Sequence, residues 1–343
     1  LFVSLYGYKG KGAPYIYQTD FIYLIIDIFL YICPMTLQQL EYIVALDRHR
    51  HFVKAAEACH VSQPTLSAMI ARLEEELDVR IFDRSRHPVQ PTPAGENILH
   101  QARMVLQHTL QLKEIVSTAR NLLTTRFNLG IIPTVAPYII PSFIGIFGEN
   151  FPQTEVSILE MRTDEIIRDL KSARLDMGVL ATPLMDPDIL EIPLYYETFL
   201  AYVSPSDPNY SKQKLSAGEL PLQHLWVLQE GHCLRNQVFN FCTENSPVEK
   251  QVYEAGSIDN LIRIIDINGG YTLIPQLHVP MLTKDQRQHV RPVLSPPPVR
   301  EISLVVYRDF IRERLLNAVA DTIKKIIPGD LLDQRLKKFA IRL

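Results

Sequence analysis

The sequence predicts an α/β chain with an all-α, winged module at its N-terminal end, and three patterns predict it. Three short helical patterns followed by a basic strand–turn–strand occupy 35–92, and past Pro93 and Gly95 one long stretch without another glycine or proline follows. Beyond that, apolar strand-like runs alternate with helical patterns to the end, the signature of a sheet covered by helices. With 343 residues and 47% hydrophobic content the chain can bury ample core. By length it holds about two or three domains.

The first 34 residues read as foreign to the rest. The stretch from Phe21 to Cys33 is nearly all apolar, but it is short for a bilayer span and carries Asp27 in its middle. Lys9 and Lys11 precede it, yet no Ala-x-Ala-like cleavage site follows. The expectation is upstream sequence ahead of a start at Met35, outside the fold, with no membrane anchor and a cytoplasmic chain.

Leu37, Leu40, Ile43 and Val44 recur at helical spacing and give a first helix over roughly 36–46. Phe52, Ala55 and Ala56 open a second, whose small side chains let another helix approach. Ser62 then stands where an N-cap belongs, with Pro64 and Thr65 in the first turn of a third helix. Leu66, Ile70, Leu73 and Leu77 form its buried stripe, and its start exposes Gln63, Thr65 and Ser67. Short polar groups at the opening of the second helix of such a pair suit base edges and phosphates, so Ser62, Gln63, Pro64, Thr65 and Ser67 are the expected DNA contacts. From Arg80 to Val89 the chain reads as strand, turn and strand: a wing whose tip carries Arg84, Arg86 and His87. Arg84 and Arg86 are the expected phosphate contacts. The net charge of −3 supplies no general basic field, so affinity for DNA requires two copies of this nearly neutral module.

A helix opening near Pro93 extends to about residue 121 as a linker. On it Ile98, Ala102, Val105, Thr109, Leu112, Val116 and Ala119 alternate at spacings of four and three, a coiled-coil repeat that implies a dimer. The rest, 122–343, reads as two α/β lobes: lobe I over about 122–199 and 301–343, lobe II over about 200–300. The predicted strands are Phe127–Ile132, Glu155–Met161, Met177–Ala181, Trp226–Leu228, Val252–Ala255, Tyr271–Ile274 and Ile302–Tyr307. Helices fall at Pro137–Phe147, Asp164–Ala173, after His232, Ile258–Ile267 and Ile311–Ile326. The expected sheet is parallel, and a signal would act in the cleft between lobes, at strand C-terminal ends.

Four cysteines in a chain this long make no disulfide framework and argue for a reducing compartment. Cys59 ends the second helix amid core alanines and reads as a structural thiol, and Cys33 has no role. Cys233 and Cys242 admit three readings. They are two buried thiols, or ligands of a zinc site for which only His232 is nearby, or a thiol switch. No metal or cofactor is expected. Cys233 falls at a helix start, where backbone N–H groups favour a thiolate, with His232 and Arg235 adding positive charge. In an intact helix, nine positions at roughly 100° and 1.5 Å per residue put the pair on opposite faces, about 13 Å apart along the axis. A disulfide needs Cα atoms within about 7 Å. If the pair bonds, the helix must unwind or move.

The run Ala55–Ala56, Val61-Ser62-Gln63-Pro64-Thr65-Leu66-Ser67, Ile70, Leu73-Glu74, Leu77, Phe82, Arg84 and Thr92-Pro93-Ala94-Gly95 resembles the LysR-type regulator family. That resemblance implies a winged helix-turn-helix, a linker helix and a two-lobed, periplasmic-binding-protein-like effector domain, in a homodimer or homotetramer. Glu230-Gly231-His232-Cys233-Leu234-Arg235 and Phe241-Cys242 resemble the peroxide-sensing members of the family. So do Ile132-Pro133-Thr134-Val135, Gly270 with Thr272-Leu273-Ile274-Pro275, and Val306-Tyr307-Arg308. The likeness implies Cys233 as the peroxide-reactive thiol and Cys242 as its disulfide partner. Thr134, His232 and Arg308, with Thr163, would line the peroxide pocket. Asn236 departs from the pattern, where an acid is common.

The implied partners are promoter DNA, hydrogen peroxide as signal, RNA polymerase and a cellular thiol reductant; the chain is not expected to be an enzyme. Two rivals differ in testable ways. A metabolite-responsive regulator with incidental cysteines needs a small ligand, and a thiol peroxidase with an accessory DNA module needs a reductant-docking motif, which the sequence lacks.

Overall fold

The computed structural model describes residues 35–118, 125–216, 220, 224–229, 255–294, 298–310 and 312–332. The chain divides into two compact units, one up to Leu106 and one from Gln107.

The first unit holds α1 (Leu37–His49), α2 (Phe52–Ala58), α3 (Gln63–Glu76), the wing strands β1 (Phe82–Asp83) and β2 (Gln90–Pro91), and the start of α4 (Pro93–Thr118). Thr36 and Gln39 close a capping box at the start of α1. Ser62 caps α3 by accepting from the Thr65 backbone N–H. The core joins Leu40, Ile43 and Leu46 of α1, Ala55 and Ala56 of α2, and Leu66, Ile70 and Leu73 of α3 to Leu99 and Ala102 of α4. Buried Asp47 of α1 accepts from Arg103 of α4 and also pairs with Arg50 at 2.7 Å. That ionic link fixes α4 against α1 where apolar packing alone has no direction.

The second unit is built on one mixed sheet. Its strands are β3 (Arg126–Ile131), β4 (Glu155–Glu160), β5 (Met177–Thr182), β6 (Ile189–Val203), β7 (Tyr271–Pro275), β8 (Val290–Pro292) and β9 (Val299–Tyr307). The order is β4-β3-β5-β9-β6-β7, with β8 also on β6. The helices are α5 (Ala136–Asn150), α6 (Thr163–Lys171), α7 (Ile258–Asn268), the single turn α8 (Lys284–Arg287) and α9 (Glu313–Ile326). Only β4, β3 and β5 run parallel; β9 returns antiparallel between β5 and β6, and β7 and β8 lie antiparallel to β6. The all-parallel expectation is therefore corrected. Returning strands that close two lobes through a shared pair must reverse direction.

The crossing point is β6. Its residues from Ile189 to Thr198 pair with β9, and from Phe199 to Val203 with β7. Two separate apolar cores lie either side of it, one containing Tyr195 and Ile302, the other Phe199 and Tyr271. The predicted strand at Trp226–Leu228 is reduced to isolated bridges, Leu225 to Tyr271 and Leu228 to Ala255. Among the described residues no helix is long and apolar enough to cross a membrane.

Candidate nucleic-acid interface and candidate redox pocket

At the start of α3, Ser62, Gln63, Pro64 and Thr65 are exposed and Ser67 is half-buried, while Leu66, Ile70 and Leu73 face inward. The Ser62 and Thr65 hydroxyls lie 2.7 Å apart, and the Ser62 oxygen also caps Thr65 N. The cap thus holds the polar turn outward in one conformation.

The wing is tied to this helix by a buried carboxylate. Glu74 of α3 accepts from Ile81 N at 2.8 Å, from Phe82 N at 3.1 Å and from Arg84 Nη2 at 2.8 Å. Arg84 also lies over the Phe52 ring. Of the two expected phosphate contacts, Arg84 is therefore held back against α3, and Arg86 projects from the turn, paired only loosely with Asp83 at 3.2 Å. The Asp83 carboxyl is held below its usual range, first by the Ser85 hydroxyl. Arg86→Ala is expected to weaken binding to specific and random DNA alike and to shallow the salt slope by about one. Gln63→Ala should instead relax preference at particular bases. Equal losses on both DNAs for Gln63→Ala, read by fluorescence anisotropy across a salt series, would remove it from the base contacts.

Along α4 the seam positions divide. Ala102 is buried and Ile98 half-buried in the chain's own N-terminal core. Thr109 is half-exposed, and Val105 and Leu112 stand 40% and 65% exposed. The first two positions of the expected seam are thus occupied within the chain. Val116 lies on the helix, but its side chain is outside the described residues.

Cys233, Cys242, His232, Arg235 and Asn236 lie outside the described residues, as do Cys33 and the extension to residue 34. Cys59 is half-buried at the end of α2, and burial, then the charge of Glu41, raises its thiol pKa. That favours the inert thiol form.

The remaining pocket residues are placed as follows. Thr134 follows β3 and Thr163 opens α6 after β4. Ile131 and Glu160 are register partners in the parallel pair, so both threonines stand three positions past the same sheet edge. The Thr163 hydroxyl oxygen is buried without a hydrogen-bond partner. Arg308 is not brought to them. It is 54% exposed and pairs with Asp188 at 3.0 Å. Eight positions along β9 separate it from Arg300, roughly 26 Å at about 3.3 Å per residue.

Arg300 takes that place. It is fully buried, and its Nη1 donates to Thr134 Oγ1 at 3.0 Å. Its Nη2 donates to the Thr134 carbonyl at 3.1 Å and to the Tyr138 hydroxyl at 2.9 Å. Its Nε donates to Glu197 Oε1 at 2.8 Å. Glu197 is equally buried, and its other oxygen accepts from Leu277 N at 3.4 Å. Burial raises the Glu197 carboxyl pKa, and the Arg300 guanidinium offsets this only in part. Both carboxylate oxygens accept N–H donors, the pattern of the ionised form.

His278 lies on the 3-10 helix Gln276–Met281 that directly follows β7, with 2% of its surface exposed and neither ring nitrogen hydrogen-bonded. Burial lowers its pKa, and Arg300 adds to this, while Asp259 at 3.7 Å opposes it. A base whose folded pKa lies below its unfolded value of about 6.5 favours the neutral fold. Its stability contribution is complete above that pH and is lost as pH falls toward the lowered value. Thermal midpoints between pH 7.5 and 5.5 should therefore fall in the native chain, and fall less in His278→Leu.

Two family profiles match the chain: the bacterial regulatory helix-turn-helix protein, lysR family, over residues 37–96, and the LysR substrate binding domain over 120–326. A hydrogen peroxide-inducible genes activator of Haemophilus influenzae is 36% identical over 302 residues, covering 86% of this chain and 99% of that one. The DNA-binding transcriptional dual regulator OxyR of Escherichia coli is 36% identical over 271 residues, 79% of this chain and 89% of that. Among solved structures, a full-length OxyR variant from Pseudomonas aeruginosa superposes with a TM-score of 0.74 at 33% identity, covering 85% of this chain and 95% of that one. Reduced OxyR from Porphyromonas gingivalis gives 0.56 at 32% identity, over 63% and 99%.

Proposed function

The chain belongs to the LysR family of DNA-binding transcription regulators, among the relatives of OxyR, and on that footing we propose that it controls oxidative-stress promoters by a reversible Cys233–Cys242 disulfide. The observation that carries the pocket assignment is the hydroxyl of Thr134, held at 3.0 Å by a buried guanidinium at the end of β3. A hydroxyl and a guanidinium at one point suit a small polar oxidant and the charge that develops as it reacts.

The thiolate of Cys233 attacks one oxygen of hydrogen peroxide. A sulfur–oxygen bond forms, the oxygen–oxygen bond breaks, and the second oxygen leaves as hydroxide, which solvent protonates to water. The sulfur is oxidised by two electrons to a sulfenic acid. The Cys242 thiol then displaces that oxygen as water and closes the disulfide, which a cellular thiol reductant reopens. Thr134, Thr163, His232 and Arg300 surround the oxidant in this reading.

Ser62, Gln63, Pro64, Thr65 and Ser67 meet the DNA groove, with Arg86 on phosphate, in a cytoplasmic homodimer or homotetramer that engages RNA polymerase. The test is peptide mapping of disulfides before and after mild peroxide, alongside promoter footprinting. A Cys233–Cys242 peptide appearing with the footprint change supports the reading. A footprint that shifts only with an added metabolite, or sustained peroxide turnover with a thiol donor, replaces it with one of the rivals.

A further inference from the structure

We infer that Glu197 is a positioning residue for the peroxide reaction: through Arg300 it fixes the Thr134 hydroxyl as a hydrogen-bond donor facing the pocket. The inference rests on the function proposed above.

The direction of each hydrogen bond follows from the chemistry of the three groups. An ionised carboxylate only accepts, and a guanidinium only donates. Glu197 Oε1 accepts from Arg300 Nε at 2.8 Å and forms an ion pair with Nη2, 2.7 Å away. With Leu277 N on Oε2, the carboxylate plane is pinned from the neighbouring lobe's chain. The guanidinium, so oriented, directs Nη1 at Thr134 Oγ1 and Nη2 at the Thr134 carbonyl. The Tyr138 hydroxyl and the Phe199 ring face add two further restraints on its plane.

Because Arg300 has no acceptor, the Thr134 oxygen must use a lone pair on it, and the Thr134 proton must point elsewhere. Residue 134 lies past the end of β3, three positions beyond Ile131, at the sheet edge it shares with Thr163, and in this assignment the freed proton is donated toward that edge. A hydroxyl left to rotate would present a lone pair to the oxidant in part of its population. With one lone pair taken by the guanidinium, fewer of its orientations turn a lone pair to the oxidant, and the donor orientation supports the oxygen that departs as hydroxide, where negative charge grows.

Glu197 also offsets the charge of Arg300. Both side chains are fully buried, and a buried guanidinium without its carboxylate is strongly destabilising. Glu197→Gln therefore risks the fold itself, and the informative variant is Glu197→Asp. It keeps the charge but draws the carboxylate back by one methylene, loosening the guanidinium's aim.

The experiment measures the rate of Cys233 oxidation by hydrogen peroxide in the full-length chain. It uses four proteins: native, Glu197→Asp, Thr134→Val and the double variant. Alkylation of Cys233 by iodoacetamide, which does not use the pocket hydroxyl, is followed in parallel. Glu197→Asp is expected to slow peroxide oxidation about tenfold, the scale of one hydrogen bond to a charged group. It should leave alkylation within about twofold. In the Thr134→Val background it should add little, because both changes remove the same donated hydrogen bond.

Additive losses in the double variant, or equal slowing of oxidation and alkylation, would overturn the inference and leave Glu197 a structural ion-pair partner. A native oxidation rate in Glu197→Asp would overturn it as well. A native rate in Thr134→Val is a different failure, since it removes the pocket from the peroxide reaction altogether.

Discussion

A Cys233→Ser chain is expected to bind its operator and to show no change in promoter occupancy at any peroxide concentration that switches the native protein. Serine keeps the size and the hydrogen-bonding capacity of the site, but its oxygen neither ionises near neutral pH nor climbs the sulfur oxidation ladder. Cys242→Ser should separate the two steps. Cys233 then oxidises, but no thiol captures the sulfenic acid, so it remains there or proceeds to sulfinic acid. If residues 233–242 form one helix in the reduced chain, the phase of nine residues keeps the thiols apart until that helix opens. Disulfide closure would then require local unfolding, and the refolded loop would be what repacks the assembly. Thiol trapping with mass spectrometry over a peroxide titration distinguishes the three proteins. Should Cys233→Ser still switch at low peroxide, a small ligand in the interlobe cleft becomes the signal.

The two halves of the chain were legible to different degrees. In the N-terminal module the signals are local: an N-cap serine, a proline in the first turn and a four-residue apolar stripe define α3, and the helix ends where its cap geometry says. In the effector unit the alternation of strands and helices located β3, β4, β5 and β7 to within a residue or two. The longest strand, β6, was missed. Its sequence Ile189–Val203 contains Pro193 and Glu197 and never alternates, because it passes from one core into another. Pro193 is tolerated at a register shift between Pro193 and Tyr195, where the ladder needs no N–H from it.

Missing the start of β9 had a functional consequence. The predicted strand begins at Ile302 and leaves Arg300 outside it, while Arg308 enters the pocket through the Val306-Tyr307-Arg308 likeness. Arg300–Glu301 instead lies inside the strand. There the period of two sends Arg300 toward Glu197 and Thr134, while Glu301 accepts from Thr182 on the other side. A charged pair inside a strand carries no periodic signal; only its partners, more than a hundred residues away, explain it.

The last expected result concerns assembly. Val105 and Leu112 are seven residues apart on α4, so they lie on nearly the same helix face, and both stay exposed in the single chain. Replacing both with lysine therefore costs the isolated chain little, since lysine is about as good a helix former as leucine. In a paired helix the same change sets four ammonium groups in an apolar seam, where like charges are neither solvated nor compensated. The variant should keep its helical circular dichroism, fall to smaller particles by light scattering, and lose operator affinity by on the order of a hundredfold or more. A loss of that size follows because two half-sites are no longer gripped together and the second contact becomes bimolecular. Ala102 gives the internal control: it faces the N-terminal core, so Ala102→Lys should unfold the module instead of dissociating it. Unchanged particle size and unchanged operator affinity in the Val105→Lys, Leu112→Lys chain would place the dimer contact on the effector lobes and leave α4 a spacer.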